Sequence, residues 1–318
     1  MFTWTETQPA GAANFGWQAC SMSGDGAKML AAISVGRVYF SSNSGASWTE
    51  TQPAGAVDKT WAIAQISNDG THAIICASTG RLYTSADGGS SWTERQPAGA
   101  ADKEWVSVSC DDDGSVMVAA IFNGRVWLST DSGVNWSEIY PTGVAENKNF
   151  DGVWVSGNGA TILVGCNGAG RLYISTNTGS SFAETQPKGN FDGSWNRTNG
   201  TRNAEHLYAF EYGKRIWTST NSGSSWTELR PAGDFDKSWV GNGCNSSGFL
   251  LAGAYTGRLY ASTNYGGYWV EEQPAGAADK SWSAAPISNS GGNVLAAHNG
   301  GRLWLGINPL SNALFMFT

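Results

Sequence analysis

Charge is what this sequence has least of. Only 14% of its 318 residues are Asp, Glu, Lys or Arg, against roughly a quarter in an average soluble protein. Acids outnumber bases, 26 to 19. No basic stripe runs along the chain, which excludes the usual nucleic-acid footprint. Long apolar runs are missing too. The longest, Val116 to Phe122, is far too short for a membrane-crossing helix, so no membrane insertion is expected. The opening MFTWTETQPAG has neither a charged nor an apolar leader segment and does not read as a signal peptide. A cytoplasmic or particle-associated protein is expected if the chain is complete; a leader removed beforehand is the other possibility.

Glycine and tryptophan, by contrast, are abundant, with 42 and 16 copies. That mixture suits short strands and tight turns, not helices. Three tracks of residues recur seven times each, at spacings of 43 to 46 residues. The first track is Trp4, Trp48, Trp92, Trp136, Phe182, Trp226 and Trp269. The second is Trp17, Trp61, Trp105, Phe150, Trp195, Trp239 and Trp282. The third is Arg37, Arg81, Arg125, Arg171, Arg215, Arg258 and Arg302. A motif used this often is architecture before it is chemistry.

Each unit parses into four strands. In the second copy these are WAIAQIS from Trp61, HAIICA from His72, RLYTS from Arg81 and SWTERQ from Ser91. Gly, Asn and Asp punctuate them. The predicted fold is all-β, a seven-bladed β-propeller of four-stranded antiparallel blades. The last unit loses its pattern after GRLWLG, and its missing fourth strand is the N-terminal FTWTETQP. The ring is therefore expected to be closed by the N-terminal strand, leaving no open edge. The chain reads as one domain, 1–318, in which 1–10 completes the last blade. The apolar tail 311–318 is extra, a candidate edge strand or oligomer contact.

The turns between third and fourth strands read Ser41-x-Asn43-x-Gly45-x-Ser47-Trp48, Ser85-x-Asp87-x-Gly89-x-Ser91-Trp92 and Ser129-x-Asp131-x-Gly133-x-Asn135-Trp136. Later copies carry Asn177, Asn221 and Asn264 at the Asp position. Asp and Asn bond to amides further along the turn, and Gly takes positive φ. This pattern resembles the Asp-box, or BNR, repeat family, and the resemblance covers essentially the whole chain. It implies a β-propeller. The family includes sialidases, glucan hydrolases, sorting receptors and photosystem II assembly factors, so the resemblance does not select a function.

Candidate ligand-binding residues come from the loops that would share one face of the ring. They are Asp58, Lys59, Trp61 and Arg81; Asp102, Lys103, Trp105 and Arg125; Asp236, Lys237, Trp239 and Arg258; and Asp279, Lys280, Trp282 and Arg302. A Trp face, an Arg fork and an Asp acceptor suit a sugar, and several weak pockets would gain from multivalency. The competing account is structural, with each Arg paired to the strand-four Glu or the loop Asp and each Trp packed between blades. A second candidate is unique. Trp154 and Arg197 stand where first strands otherwise carry small residues. Their offsets from Phe150 and Trp195 share parity, which predicts one face at the central channel; repacking around insertions in the fourth unit is the alternative.

Catalysis finds little support. Arg95, Arg197, Arg202 and Arg230 are the arginines outside the track, and they do not assemble a sialidase triad. A two-carboxylate hydrolase needs acids across a cleft, and the channel strands offer Asp151 alone. His72, His206 and His298 share no metal-ligand spacing, and His298 reads as a solvated loop residue. The five cysteines, Cys20, Cys76, Cys110, Cys166 and Cys244, lack a CxxC pair and read as free, buried thiols. No cofactor or metal is expected. The best-supported reading is a non-catalytic, lectin-like propeller with repeated sugar pockets. The alternative is a scaffold propeller that mediates protein–protein assembly, and a glycoside hydrolase ranks third. Partners are glycans or a protein.

Overall fold

The computed structural model describes residues 2–168 and 170–309. The tail expected at 311–318 lies outside the described residues. One unit shows the local logic. Trp105–Cys110, Met117–Ile121, Val126–Ser129 and Ser137–Ile139 form an antiparallel sheet in sequence order. The second strand is buried at every position, as are Ala73–Ala77, Ile162–Cys166 and Leu207–Glu211. A strand apolar on both faces needs cover on both. Neighbouring units supply it: Val116, Val118 and Ala120 pack with Phe150, Val153 and Val155 of the next unit.

Four sheets have four strands, one has five and one has eight. The expected set of separate four-stranded sheets is thus amended, because units also hydrogen-bond to each other. Val35–Gly36 joins the following unit through Thr60 and Lys59. Phe15–Met22 joins Asn293–Gly301 through Phe15–Gly301 and Gly16–Asn299. On the other side of that last unit, Thr3–Thr7 lies antiparallel to Leu303–Ile307, with Glu6 opposite Trp304.

The first strands surround an axial cavity of about 180 Å³, to which all the repeat units contribute. Antiparallel alternation puts the first-to-second and third-to-fourth turns on one face, called here the turn face. The remaining loops form the loop face. On the turn face a chain of hydrogen bonds passes from unit to unit: Gly24 to Asn68, Asp69 to Asp112, Asp112 to Gly157, Gly157 to Arg202. It continues through Cys244 to Gly200 and Asn245 to Ser288, and Asn289 returns it to Gly24. Arg202 also pairs with Asp112 at 2.5 Å across the intervening unit. The acidic turn at Asp111, Asp112, Asp113 and Gly114 thus spends one of its acids on a clasp.

The third-to-fourth turns repeat one geometry. In the third unit Ser129 Oγ accepts from the Gly133 amide at 2.9 Å, and Asp131 Oδ1 accepts from the Asn135 amide at 2.8 Å. Gly133 has φ +78°, which admits glycine at little cost. In the second unit burial alone would raise the pKa of Asp87. Hydrogen bonds from Ser91, Ser85 and Ser90 outweigh burial and hold the carboxyl down to about 2. A depressed folded-state pKa contributes stability above the unfolded value and loses it as pH falls through the folded one. Asp87→Ala is therefore expected to destabilise at neutral pH. Its deficit should shrink as pH falls from about 4, the ordinary Asp value, through about 2, read by urea unfolding across that range. Asp87→Asn, matching Asn43 and Asn177, should retain most of the stability at neutral pH.

Candidate functional site

The residues singled out by repetition form the seams between units. In every unit the residue before the track arginine bridges to the residue two before the next second-track aromatic. These pairs are Gly36–Lys59, Gly80–Lys103, Gly124–Lys148, Gly170–Gly193, Lys214–Lys237, Gly257–Lys280 and Gly301–Phe15. The loop lysines Lys59, Lys103, Lys237 and Lys280 are thus backbone partners in the seams.

The aromatic track lies beneath them. Trp105 and Trp239 are 1% exposed, Trp61 and Trp282 2%. No open Trp face exists there for a sugar to stack on. The indoles instead help close the seam: Trp61 Nε1 donates to the Gly36 carbonyl at 2.9 Å, and Trp239 Nε1 to Lys214 at 3.2 Å. Tyr83 and Tyr260 meet the same two rings edge-on.

The track arginines clamp their own loops. Arg215 lies 3.5 Å from Glu228 and 3.0 Å from Asp236, and donates to the carbonyls of Gly233, Asp234 and Phe235 at 2.9, 2.7 and 3.1 Å. Arg81 pairs with Glu94 and Asp102 and bonds to the Gly99 and Ala100 carbonyls. Arg37–Asp58 and Arg258–Asp279 are both 2.7 Å. Arg125 uses Asn147 in place of the Asp, at 2.6 Å, beside Glu138. Arg302 pairs with Glu6. The donors that a sugar site would use are directed at the protein itself. A fork held by two carboxylates and two carbonyls is an interaction set that fixes a loop.

The two expected axial residues line one cavity but do different things. Trp154 is 4% exposed and packs with Leu163, Leu172 and Trp195. Its ring leaves no room for a Cβ on Gly200. Each first strand has a bulge immediately after the second-track aromatic, as between Phe150 and Gly152 and between Trp195 and Arg197, which precedes both residues and leaves their shared parity unchanged. Arg197 does reach the channel, and a second opening of about 280 Å³ on the loop face brings it together with Asp151, Gln18, Ser34, Thr60 and Ser78. Burial raises the pKa of Asp151, opposed by Arg197 and by Asn167, whose amide donates to it at 2.8 Å.

His298 is not the loop residue expected. It lies within the strand Asn293–Gly301, opposite Trp282 and 5.8 Å from that ring, and burial lowers its pKa. The thiols are all unpaired, and burial raises Cys76 and Cys110 to about 12, which makes them poor nucleophiles. Among the described residues no cluster of metal-ligating side chains occurs, and no helix is long and apolar enough to cross a membrane.

Tyr212 and Tyr255 depart from the repeat in loops that the sequence places on the ligand-facing side, and the structure adds Phe191 and Phe235, which the sequence analysis passed over. Phe191 and Phe235 are 75% and 73% exposed, and Tyr212 and Tyr255 57% and 50%. All four are on the loop face in consecutive units. The Tyr212 amide donates to Ser194, the Lys214–Lys237 bridge follows, and the Tyr255 amide donates to Ser238. These bonds string the four loops into one strip. The signal was present: Phe191 and Phe235 replace Ala13, Ala101 and Ala278, and Tyr212 and Tyr255 replace Ser34, Ser78 and Asn299.

No family model matches the chain, and no curated protein matches it. Solved structures do. YCF48 from Cyanidioschyzon merolae is 11% identical, over 96% of this chain and 99% of that one, with a TM-score of 0.71. The β-propeller domain of Myceliophteria thermophila Cps50 (Swd1) is 11% identical over 96% and 100%, at 0.74. A GH74 xyloglucanase from Xanthomonas campestris is 17% identical over 97% of this chain and 54% of that one, at 0.70. At such identities the likeness defines the fold: the protein is an all-β β-propeller.

The seam assignment has a direct consequence. Trp105→Ala should cost about 3–5 kcal/mol, the usual range for emptying a large aromatic site. Trp105→Phe should cost far less, because Phe150 already fills the equivalent place. Chemical denaturation of the two variants checks this.

Proposed function

We propose that the protein is a non-catalytic interaction propeller whose loop face docks a protein partner. The observation that carries this reading is the exposed strip Phe191–Tyr212–Phe235–Tyr255. Contiguous exposed apolar surface marks interaction sites, and aromatic side chains are enriched at protein interfaces. Of the twelve large hydrophobics that stand exposed among the described residues, nine are on loop-face segments. Among structurally similar proteins, YCF48 has also been solved bound to a D1 peptide.

The blade count belongs to the same reading. Seven equivalent seams and the Thr3–Thr7 pairing with Leu303–Ile307 support seven blades with the N-terminal strand in the last one. The turn geometry supports the Asp-box resemblance.

The lectin-like reading transfers to the same strip if it holds at all, since Tyr and Phe faces are open there and closed at the Trp track. Selection of a displayed peptide library against the immobilised protein separates the two. Selected peptides should lose about tenfold or more in affinity, about 1.4 kcal/mol, in the double variant Phe191→Ser/Phe235→Ser. Val134→Ser and Tyr268→Ser on the turn face should change nothing. Binding only to members of a glycan panel would overturn the protein-docking reading.

A further inference from the structure

The loop-face opening of the axial cavity carries an arrangement that the repeat does not explain. Arg197 occupies the position two after the second-track aromatic, where the other units have Ala19, Ile63, Ser107, Gly152, Gly241 and Ala284. Among the described residues nine of the eleven arginines have a carboxylate at ion-pair distance; Arg197 and Arg95 do not. Arg95 instead donates to Thr84. Among the described residues the Arg197 side chain makes one hydrogen bond, from Nη1 to the Asn196 carbonyl at 2.8 Å, although a guanidinium has five donors.

Asp151 is equally singular. Its equivalents are Gln18, Ala62, Val106, Asn196, Val240 and Ser283. One oxygen accepts from Asn167; the other has no hydrogen-bond donor. Both charges line the same opening of about 280 Å³, yet they do not close on each other. A cation and an anion held apart in a half-buried pocket, neither fully hydrogen-bonded, are costly for the folded chain alone. A ligand that supplies the complementary charge to one and a donor to the other removes that cost. The opening is just below the roughly 300–1,000 Å³ of drug-sized sites, which suits a ligand of amino-acid size.

We propose that this mouth is a binding site for a carboxylate with a hydrogen-bond donor one or two atoms away, Arg197 taking the carboxylate and Asp151 accepting from the donor. The hydroxyls of Ser34, Thr60 and Ser78 around the opening add polar partners without charge. The proposal does not depend on the rim docking a protein. The same chemistry is offered by a free amino acid and by the terminus of a peptide chain.

The test titrates the full-length protein with four probes, followed by calorimetry and by the shift in melting temperature. The probes are glycine, N-acetylglycylglycine, acetate and glycine methyl ester. Glycine or N-acetylglycylglycine should bind at millimolar concentration or below, several-fold more tightly than acetate, and the methyl ester should not bind. Preference for glycine identifies a free ligand, and preference for the acetylated peptide identifies a chain end. Arg197→Leu should abolish binding and leave the ligand-free melting temperature unchanged or higher. Asp151→Asn should narrow the difference between glycine and acetate. Absence of binding by both donor-bearing carboxylates would overturn the proposal. So would a marked fall in melting temperature in Arg197→Leu, since Arg197 would then be a structural support.

Discussion

The seam between neighbouring units is the constraint on which the rest of this molecule depends. A four-stranded unit with a second strand apolar on both faces cannot be stable alone, since each exposed face forfeits about 25 cal/mol per Å² of apolar surface. Burial against a neighbour solves this only if the spacing and tilt are right. The second-track aromatic sets both. It sits at a bulge, which bends the strand and raises its twist, and its bulk fills the wedge between two sheets. The backbone bridge beside it and the arginine clamp above it then fix the loop that crosses the seam. Trp61, Gly36–Lys59 and Arg37–Asp58 are three parts of one joint.

Much of this joint was legible in the sequence, because repetition itself is visible. The four-strand units, the polar turns and the pairing of Arg with Glu and loop Asp all follow from spacing and residue type. Two things were not legible. Parity gives a face and not the depth of cover, so the sequence does not show that Trp154 lines the axial cavity while its ring packs with Leu163 and Trp195. Nor does a Trp declare from sequence whether its face is offered or hidden. A core wedge and a sugar platform both select a large aromatic next to Arg and Asp. An exposure of only 1–2% decides between them, and burial is a property of the assembled ring.

Repetition and function therefore lie at different positions. The groups that recur are engaged with one another, the arginines with carboxylates and the second-track aromatics with the seams they fill. Groups that appear once are left with capacity to spare: Arg197 with unused donors, Asp151 with an unpaired oxygen, Phe191 and Phe235 with exposed rings. Both sets of departures fall on the fourth, fifth and sixth units and on the loop face. The architecture tolerates them there because loop residues outside the seam bear no packing load. Small residues at equivalent places, such as Ala101 and Ser78, show what the joint itself requires.

Charge gives the ring a direction that composition alone does not show. Asp25, Asp69, Asp87, Asp111, Asp112, Asp113, Asp131 and Glu205 lie on the turn face, with Lys28 and Arg202 as its bases. That face thus holds nearly all of the formal net charge of -7. The other seven lysines lie on the loop face, among acids that bring it close to neutral. Exposed charges act over about one Debye length, roughly 8 Å at physiological salt, so the two faces present different potentials to an approaching molecule. An anionic ligand is repelled from the turn face and meets no such barrier at the loop face, where Arg197 stands behind the opening. Aromatic surface, electrical neutrality and access to the axis coincide on the loop face, beside the backbone bridges of the seams, while turn-to-turn hydrogen bonds join the units on the other face.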